Sequence, residues 1–203
     1  MSRVECPRCL RPENYCYCAD LPCETASVDL IILQHPKESK HPMNTARIAE
    51  LGLSNCQIIV GEDFSEHARL QEILHTRRCF LLFPRPDAID SQVQIQQVVP
   101  EVVIILDGTW KKARRIYHCN PGLQQLPALS ISHDQLSNYR IRKTPNELAL
   151  STVEAAVILL RYADKNDTSH QSLLDAFDRM IQMQIEAMGQ GVYQKNYTHR
   201  IRQ

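Results

Sequence analysis

Cysteines cluster at the start of the chain with a spacing typical of a metal site. Five of the eight cysteines lie within the first 23 of 203 residues, and four of them form the pattern Cys6-x2-Cys9-x6-Cys16-x-Cys18. Four thiolates suit tetrahedral Zn²⁺ and leave it no open coordination position, so the metal would be structural. Two alternatives stay open at this point: the thiols are free or form a redox pair, or Cys23 replaces one ligand.

A second group of residues suited to chemistry follows a run of branched apolar residues. Asp107, Gly108, Thr109 and Trp110 come directly after Val102–Leu106. A carboxylate, a glycine that allows close backbone approach and an aromatic ring suit a ligand site, because ligands bind beyond the carboxyl ends of strands in α/β sheets. In the structural alternative, Asp107 merely caps a helix and Trp110 packs.

Positive charge is concentrated around the same segment of a chain whose formal net charge is zero. Residues 107–143 hold seven basic and two acidic side chains, although the whole chain has 23 of each sign. The neutral total excludes a histone-like binder, whereas a local basic face suits a polyanion held in one orientation. A solvated helix face is the alternative. The basic residues are Lys111, Lys112, Arg114, Arg115, Arg140, Arg142 and Lys143.

Short apolar runs that do not alternate with polar residues predict the strands that position these groups. Such runs are typical of strands buried on both faces in a parallel sheet covered by helices, so we expect an α/β fold. The predicted strands are Val28–Leu33, Cys56–Val60, Cys79–Phe83, Val102–Leu106 and Ala128–Ser132. The predicted helices are Asn44–Leu51, Glu66–His75, Lys111–Tyr117, Thr152–Tyr162 and Leu173–Met188.

The helix predicted from Thr152 begins with the sequence pattern of a capping box, in which Ser151 is the N-cap and Glu154 follows three residues later. The basic segment Tyr139–Lys143 precedes it. Helix N-termini attract anions, so a carboxylate or phosphate could sit between the Ser151 and Thr152 amides and the basic side chains. A surface loop is the alternative.

Segment composition sets the expected organisation and location. Residues 1–25 lack helical and strand periodicity and form the predicted zinc module, whereas residues 26–203 form the predicted main domain.

No apolar run reaches the roughly 18 residues of a membrane span, and the first residues do not resemble a signal peptide. We therefore expect a cytoplasmic protein with reduced thiols and no membrane partner. The oligomeric state leaves no direct signal, and a monomer is the expectation.

Several ordered blocks of the sequence resemble the DTW-domain family of tRNA-uridine aminocarboxypropyltransferases. The resemblance extends from about residue 6 to residue 185. The matching blocks are the four-cysteine cluster, His35–Glu38 with Asn44–Arg47, Leu81–Pro84, Asp107–Trp110, Tyr139–Lys143 with Pro145, and Leu150–Ala156.

The resemblance implies a fold, a reaction and two partners. The fold is similar to that of the SPOUT superfamily, with a C-terminal trefoil knot that sequence reasoning alone would not propose. The donor is S-adenosylmethionine, whose 3-amino-3-carboxypropyl group passes to N3 of a tRNA uridine (uridine 47 of the variable loop in bacterial members), leaving 5′-methylthioadenosine. Three alternatives remain: a SPOUT-like RNA methyltransferase, an aminocarboxypropyltransferase for ribosomal RNA, and a non-catalytic zinc-dependent RNA-binding protein.

The matching blocks also imply residue roles. Asp107 is expected to act as general base or to orient the uracil, with Thr109 beside it and Trp110 stacking on the flipped base. The expected donor contacts are Leu82, Phe83, Pro84, Gly108, Tyr139, Arg140, Arg142, Lys143, Leu150, Ser151 and Thr152. The expected RNA contacts are Arg47, Lys111, Lys112, Arg114 and Arg115, and the expected zinc ligands are Cys6, Cys9, Cys16 and Cys18. His35, Glu38 and Asn44 are either RNA-facing or structural.

Overall fold

Six parallel strands form the single sheet of the computed structural model, which describes residues 4–132 and 150–197. The strands are β1 (Asp29–Gln34), β2 (Cys56–Val60), β3 (Cys79–Leu82), β4 (Ile89–Asp90), β5 (Val102–Asp107) and β6 (Ala128–Ser130). Their order across the sheet is β2-β1-β5-β3-β6-β4, and each neighbouring pair is parallel. The predicted parallel α/β sheet is thus confirmed.

Helices cover both faces of this sheet. They are α1 (Ala46–Gly52), α2 (Ala68–Thr76), α3 (Ser91–Gln97), α4 (Trp110–Cys119), α5 (Pro121–Gln124), α6 (Thr152–Asp164), α7 (Gln171–Met188) and α8 (Gln190–Tyr197). We call the face covered by α1, α3, α6 and α7 the α6 face, and the face covered by α2, α4 and α5 the α4 face. None of the helices in the described residues is both long and apolar enough to cross a bilayer.

Side-chain alternation along the strands decides which residues meet each helical layer. In β1, Leu30 and Ile32 belong to the core under the α6 face, and Ile31 and Leu33 belong to the core under the α4 face. The last residue of β1, Gln34, is in phase with Leu30 and Ile32. The last residue of β5, Asp107, is in phase with Val103 and Ile105 of the same core. Both polar side chains therefore stand on the α6 face.

The predicted elements are present with ends shifted by a few residues, but the chain between β3 and β5 contains two elements that the pattern did not predict. These are the two-residue strand β4 and the short helix α3. The side chain of Asp90 caps α3 by accepting hydrogen bonds from the amides of Gln92 (2.9 Å) and Val93 (3.4 Å). Helices α5 and α8 were also not predicted. The knot stays a prediction, because the connection between β6 and α6 runs through residues 133–149, outside the described ranges.

The cysteine-rich segment packs against the α6 face. Tyr17, only 1% exposed, lies in the same core as Leu173 of α7. The Arg11 guanidinium lies 5.9 Å from the Tyr17 ring centroid and donates a 3.5 Å hydrogen bond to Gln184 of α7. The segment therefore shares the main core, and a domain boundary at residue 25 stays a prediction.

A buried histidine ties the end of this segment to two helices. The Nδ1 atom of His170 lies 2.6 Å from a Glu24 carboxylate oxygen, and its Nε2 atom lies 2.8 Å from Asp164 at the end of α6. Burial of Asp164 opposes its ionisation, but hydrogen bonds from Ser27, Ser169 and His170 hold the pKa of this carboxyl below its usual value. These two contacts of His170 join residues 24, 164 and 170.

The predicted capping box forms at the start of α6. The Ser151 hydroxyl accepts a 3.4 Å hydrogen bond from the Glu154 amide, and the Glu154 carboxylate accepts bonds from the Ser151 amide (2.7 Å) and hydroxyl (2.6 Å). Both residues are buried. The box satisfies helix-terminal N–H groups that would otherwise lack partners.

We expect Ser151→Ala to lower the free energy of unfolding by about 1–2 kcal/mol, because it removes the cap and a donor to a buried carboxylate. Urea denaturation measures the change as a shifted midpoint at unchanged slope. Ser172→Ala, on the exposed side of α7, is the matched control and should stay within about 0.5 kcal/mol of the parent. Equal losses in both variants would contradict the importance of the cap.

Candidate active site and metal centre

The candidate active site lies at the carboxyl edge of the sheet, between its two central strands. From β1 the chain turns through α1 to β2 on one side, and from β5 it turns through α4 toward β6 on the other side. Ligands in open α/β sheets bind in the crevice at such a switch point. The terminal residues of the two strands, Gln34 and Asp107, are direct register partners.

The Asp107 carboxylate is held between β1 and α6. Its Oδ2 atom accepts a 2.8 Å hydrogen bond from Gln34 Nε2, and its Oδ1 atom accepts one from the hydroxyl of Thr152, the first residue of α6. Bonds donated to a carboxylate favour its ionised form. The N-cap of α4 is Thr109, which makes no side-chain cap bond. The Asp107 carboxylate therefore does not act as the cap of α4, as the structural alternative would require. It contacts β1 and α6 instead.

Gly108 lets the chain turn tightly between Asp107 and α4. Its φ angle is +156°, and a Cβ atom there would lie 3.0 Å from Cβ of Lys112 and 3.6 Å from Cβ of His35. The main-chain amide of His35 also donates a 3.0 Å bond to the Asp107 carbonyl. A side chain at position 108 would separate α4 from the segment that follows β1.

Trp110 and Thr109 lie on the solvent side of this turn. Thr109 is exposed and Trp110 is 48% exposed. The indole therefore does not pack in the core, and its ring is accessible to a stacking partner. Its stacking on a base stays a prediction.

The structure divides the four basic residues of α4 into two pairs. Lys112 and Arg115 form 2.5 Å ion pairs with Glu38 and Glu62, which fix the helix to neighbouring loops. Lys111 and Arg114 are exposed and have no ion pair within residues 4–132 and 150–197. The second pair is the better placed for phosphate contacts.

Two other candidates for RNA contact serve the local structure. Arg47 forms a 2.6 Å ion pair with Glu50, whose other carboxylate oxygen accepts a 3.0 Å bond from the Ile58 amide of β2. His35 is only 4% exposed, and its Nε2 atom lies 2.7 Å from a carboxylate oxygen of Glu62. Its Nδ1 atom accepts a hydrogen bond from the main-chain amide of Lys37. Contact of Arg47 with RNA stays a prediction.

The residues predicted to line the donor site fall on different sides of the sheet. Leu82, at the end of β3, lies half-buried on the α6 face with Asp107. Phe83 points to the α4 face, where it is buried and stacks on Tyr117 with ring centroids 4.8 Å apart. Pro84 is exposed. Of the three, Leu82 shares a face with the Asp107 carboxylate.

The remaining donor candidates precede α6 or begin it. Leu150 is half-buried, and the Ser151 amide and hydroxyl are both engaged by Glu154. Thr152 contacts Asp107. Four further candidates lie outside the described residues: Tyr139, Arg140, Arg142 and Lys143.

A cavity between α2 and α5 lies on the α4 face, away from these residues. Phe64, Leu70, Leu74 and Leu123 form its apolar lining. The buried amide of Asn120 in its wall is bonded to the Phe64 amide and to two main-chain carbonyls. It contains none of the predicted site residues, and that amide is already satisfied by the protein.

The cysteine cluster has the geometry of a metal centre. The sulfur atoms of Cys6, Cys9, Cys16 and Cys18 all lie within 4.8 Å of one another. Two of the distances are 3.8 Å (Cys6 to Cys18) and 3.7 Å (Cys9 to Cys16). A tetrahedral ion with metal–sulfur bonds of about 2.3 Å requires sulfurs about 3.8 Å apart. The four residues can therefore hold a metal ion.

The environment of the thiols differs from one cysteine to the next. Backbone amides of Cys9 and Arg8 lower the pKa of Cys6 to about 6, whereas burial raises the pKa of Cys16 and Cys18. A bound dication would favour thiolates at all four positions. Cys23 is exposed and outside the cluster.

Sequence reasoning missed Gln34, and left the role of Asn44 open. Gln34 links Asp107 to Asn44, which lies just before α1. The available signal was a single polar residue at the end of an apolar strand. Its partner could not be identified, because Gln34 and Asp107 are 73 residues apart in sequence.

Comparison with known proteins agrees with these motifs. The chain is 32% identical over 191 residues to tRNA-uridine aminocarboxypropyltransferase 2 of Drosophila melanogaster, covering 91% of this chain and 76% of that protein. The protein of the same name from Macaca fascicularis is 30% identical, and the match covers 91% of this chain and 64% of that protein. The one from Mus musculus is 29% identical, and the match covers 96% of this chain and 68% of that protein. No solved structure matches significantly. The model of the DTW domain matches residues 3–185, so the chain belongs to the DTW-domain family.

Proposed function

We propose that this protein is a tRNA-uridine aminocarboxypropyltransferase that uses S-adenosylmethionine as donor. The observation behind the proposal is the Asp107 carboxylate, held at the switch point of a parallel sheet within the motif for which the DTW domain is named. The names of its relatives support the same reaction class. N3 of a uridine is the proposed acceptor, with position 47 of the variable loop as the expected site.

The reaction is a displacement at carbon. The uracil N3 loses its proton and attacks the methionyl methylene next to the sulfonium. A carbon–nitrogen bond forms, and the carbon–sulfur bond breaks with its electron pair moving to sulfur. 5′-Methylthioadenosine leaves as a neutral thioether. Because the sulfonium is already a good leaving group, placement of the two reactants should dominate catalysis.

Asp107 is suited to receive or orient the N3 proton. Its two oxygens accept bonds from Gln34 and Thr152, which hold the carboxylate in place at the carboxyl edge of the sheet. Trp110 would stack on the flipped uracil beside it. On the same sheet face, Leu82 and Thr152 would border the donor, together with Gly108 and Leu150. The basic residues Arg140, Arg142 or Lys143 would hold the donor carboxylate or an RNA phosphate.

Zinc is the proposed occupant of the four-cysteine cluster. Four sulfurs at tetrahedral separations fit this ion and leave it no open position for catalysis. When bound, zinc would fix the fold of residues 6–18, including Tyr17, whose ring is anchored in the main core. Thiols kept for metal fit a reducing, cytoplasmic setting.

We also propose that the C-terminal part of the chain adopts the SPOUT-like trefoil knot. The parallel sheet and the return of α6 to the carboxyl end of β5 support this proposal. A monomer remains our working expectation for the oligomeric state.

Incubation of the protein with S-adenosylmethionine and unmodified tRNA should yield 5′-methylthioadenosine, and a nuclease digest should contain the aminocarboxypropyl uridine. Asp107→Asn should slow both by at least about 100-fold, because it removes the negative acceptor. Asp167→Asn, in an exposed turn, is the matched control and should keep the parent rate.

S-adenosylhomocysteine as by-product would instead identify a methyltransferase, and product formed on ribosomal RNA alone would exclude tRNA as the acceptor. Absence of donor binding in calorimetry would favour a non-catalytic RNA-binding protein.

Arg114→Gln should weaken tRNA binding by about 3- to 10-fold and lower the slope of log affinity against log salt by about one, because one phosphate contact is lost. Donor affinity should not change. Lys165→Asn provides a matched loss of charge directly after the C-terminal end of α6, about 20 Å from the first residue of this 13-residue helix. Equal effects of the two variants would exclude a specific contact at α4.

The purified protein should contain one zinc ion per chain, measurable by elemental analysis. Cys9→Ser should lose the metal and lower the free energy of unfolding by at least about 3 kcal/mol, the stabilisation given by a ligand at 100 times its dissociation constant. Cys119→Ser, at an exposed position outside the cluster, should keep both metal and stability. Metal-free protein of unchanged stability would contradict a structural role.

A further inference from the structure

Gln34 is a fully buried amide at the end of β1, where its exposed fraction is 0%. Buried polar atoms need partners, and this side chain has them. Its Nε2 atom donates to Asp107 Oδ2 (2.8 Å) and to Asn44 Oδ1 (3.0 Å), and its Oε1 atom accepts from Asn44 Nδ2 (3.4 Å). Both N–H groups and the carbonyl oxygen are therefore engaged.

Asn44 determines which way the Gln34 amide faces. The Asn44 Oδ1 atom accepts a bond from the main-chain amide of Arg47 (3.2 Å), and its Nδ2 atom donates to the main-chain carbonyl of Ser39 (3.4 Å). Main-chain groups have fixed donor and acceptor roles, so the orientation of Asn44 is set. The paired amides then direct N–H of Gln34, and not its oxygen, at Asp107.

The two side-chain donors described above, Gln34 and Thr152, are neutral. A neutral donor stabilises an ionised carboxylate without cancelling its charge, as a lysine or arginine would. Of the titratable groups on the surrounding elements, Lys112 pairs with Glu38, His35 and Arg115 contact Glu62, and Glu154 accepts hydrogen bonds from Ser151. Gln34 and Thr152 thus fix the rotamer of the Asp107 carboxylate without themselves placing a positive charge beside it.

We propose that Gln34 is a positioning residue that holds the Asp107 carboxylate ionised and oriented for reaction, with Asn44 fixing the direction of the Gln34 amide. The inference rests on the proposed function for its kinetic consequences. Gln34 acts through Asp107 and needs no contact with either substrate.

The first test compares Gln34→Met with the parent protein in single-turnover reactions. Methionine has a similar shape but cannot donate to Asp107. We expect the rate of the chemical step to fall by about 30- to 100-fold, and the dissociation constants of tRNA and S-adenosylmethionine to change by less than about threefold. Gln57→Met, in the edge strand β2, is the matched control and should react at the parent rate.

The second test uses Gln34→Glu and the pH dependence of its rate. The new carboxyl and Asp107 would share one proton at low pH and repel each other once both are ionised. Between about pH 6 and pH 9, the rate relative to the parent should therefore fall with rising pH. The same ratio for Gln34→Met should stay constant. A merely structural role would leave both ratios flat and would overturn the proposal.

Two further measurements guard against loss of folding and against failure of the proposed reaction. Asn44→Ala, which removes the hydrogen bonds that hold the Gln34 amide in its orientation, should slow the reaction by about tenfold while melting near the parent temperature.

Carbon NMR of labelled aspartates should detect the Asp107 carboxyl titrating at higher pH in Asn44→Ala and Gln34→Met than in the parent, whether or not the protein is active. An active parent with unchanged variants, or an unchanged Asp107 titration, would overturn the inference. An inactive parent in which the titration shifts would overturn only the proposed function.

Discussion

Asp107 joins three distant parts of the chain through the hydrogen bonds that it accepts from Gln34 and Thr152. These partners lie 73 and 45 residues away in sequence, so the contact forms only when β1, β5 and α6 meet at one edge of the sheet. Register between β1 and β5 brings Gln34 opposite Asp107, and the capping box fixes the first turn of α6. The geometry of the site is therefore a consequence of the sheet register, since a shift of one residue would turn either side chain to the opposite face.

The same edge uses its charges in two ways. Lys112 and Arg115 are paired with acidic residues of neighbouring loops and hold α4 in place, whereas Lys111 and Arg114 face solvent. A charge that is paired with an opposite charge fixes the position of its helix but adds little to the electrostatic potential around the protein. An exposed charge adds to that potential and attracts a polyanion. A chain whose formal net charge is zero thus has two exposed positive charges, Lys111 and Arg114, on the same helix as the exposed ring of Trp110.

The cysteine cluster has a separate task. Its sulfurs lie at the separations of a closed tetrahedral site, and Tyr17 between Cys16 and Cys18 anchors this segment in the core near α7. The sheet itself is built from apolar strands that lie between two helical layers. The four-cysteine cluster and the Asp107 site therefore both border the shared core on the α6 face.

Local patterns were sufficient for much of this architecture. Apolar runs predicted β1, β3 and β5, because a strand buried on both faces must be apolar on both sides. The same kind of run also predicted β2, although β2 is an edge strand and only partly buried. Ser151 and Glu154 predicted the start of α6, since a capping box is a contact between residues close in sequence. The same local logic failed for β4 and α3, which are short and only weakly apolar. Their pairing with β6 and packing on α6 arise from long-range contacts.

The amino-acid sequence by itself determined the family motif, the four cysteines that can hold a metal ion and the apolar elements, because each depends on residue type and short spacing. Tertiary structure decided the partners: Gln34 binds Asp107, and Phe83 turns away from the site while Leu82 faces it. Within residues 4–132 and 150–197, it also pairs two of the four Lys and Arg side chains of α4 and leaves two without an ion pair. These outcomes depend on register and on the face that each side chain takes. Both are set by the packing of segments far apart in the chain, which no local pattern records.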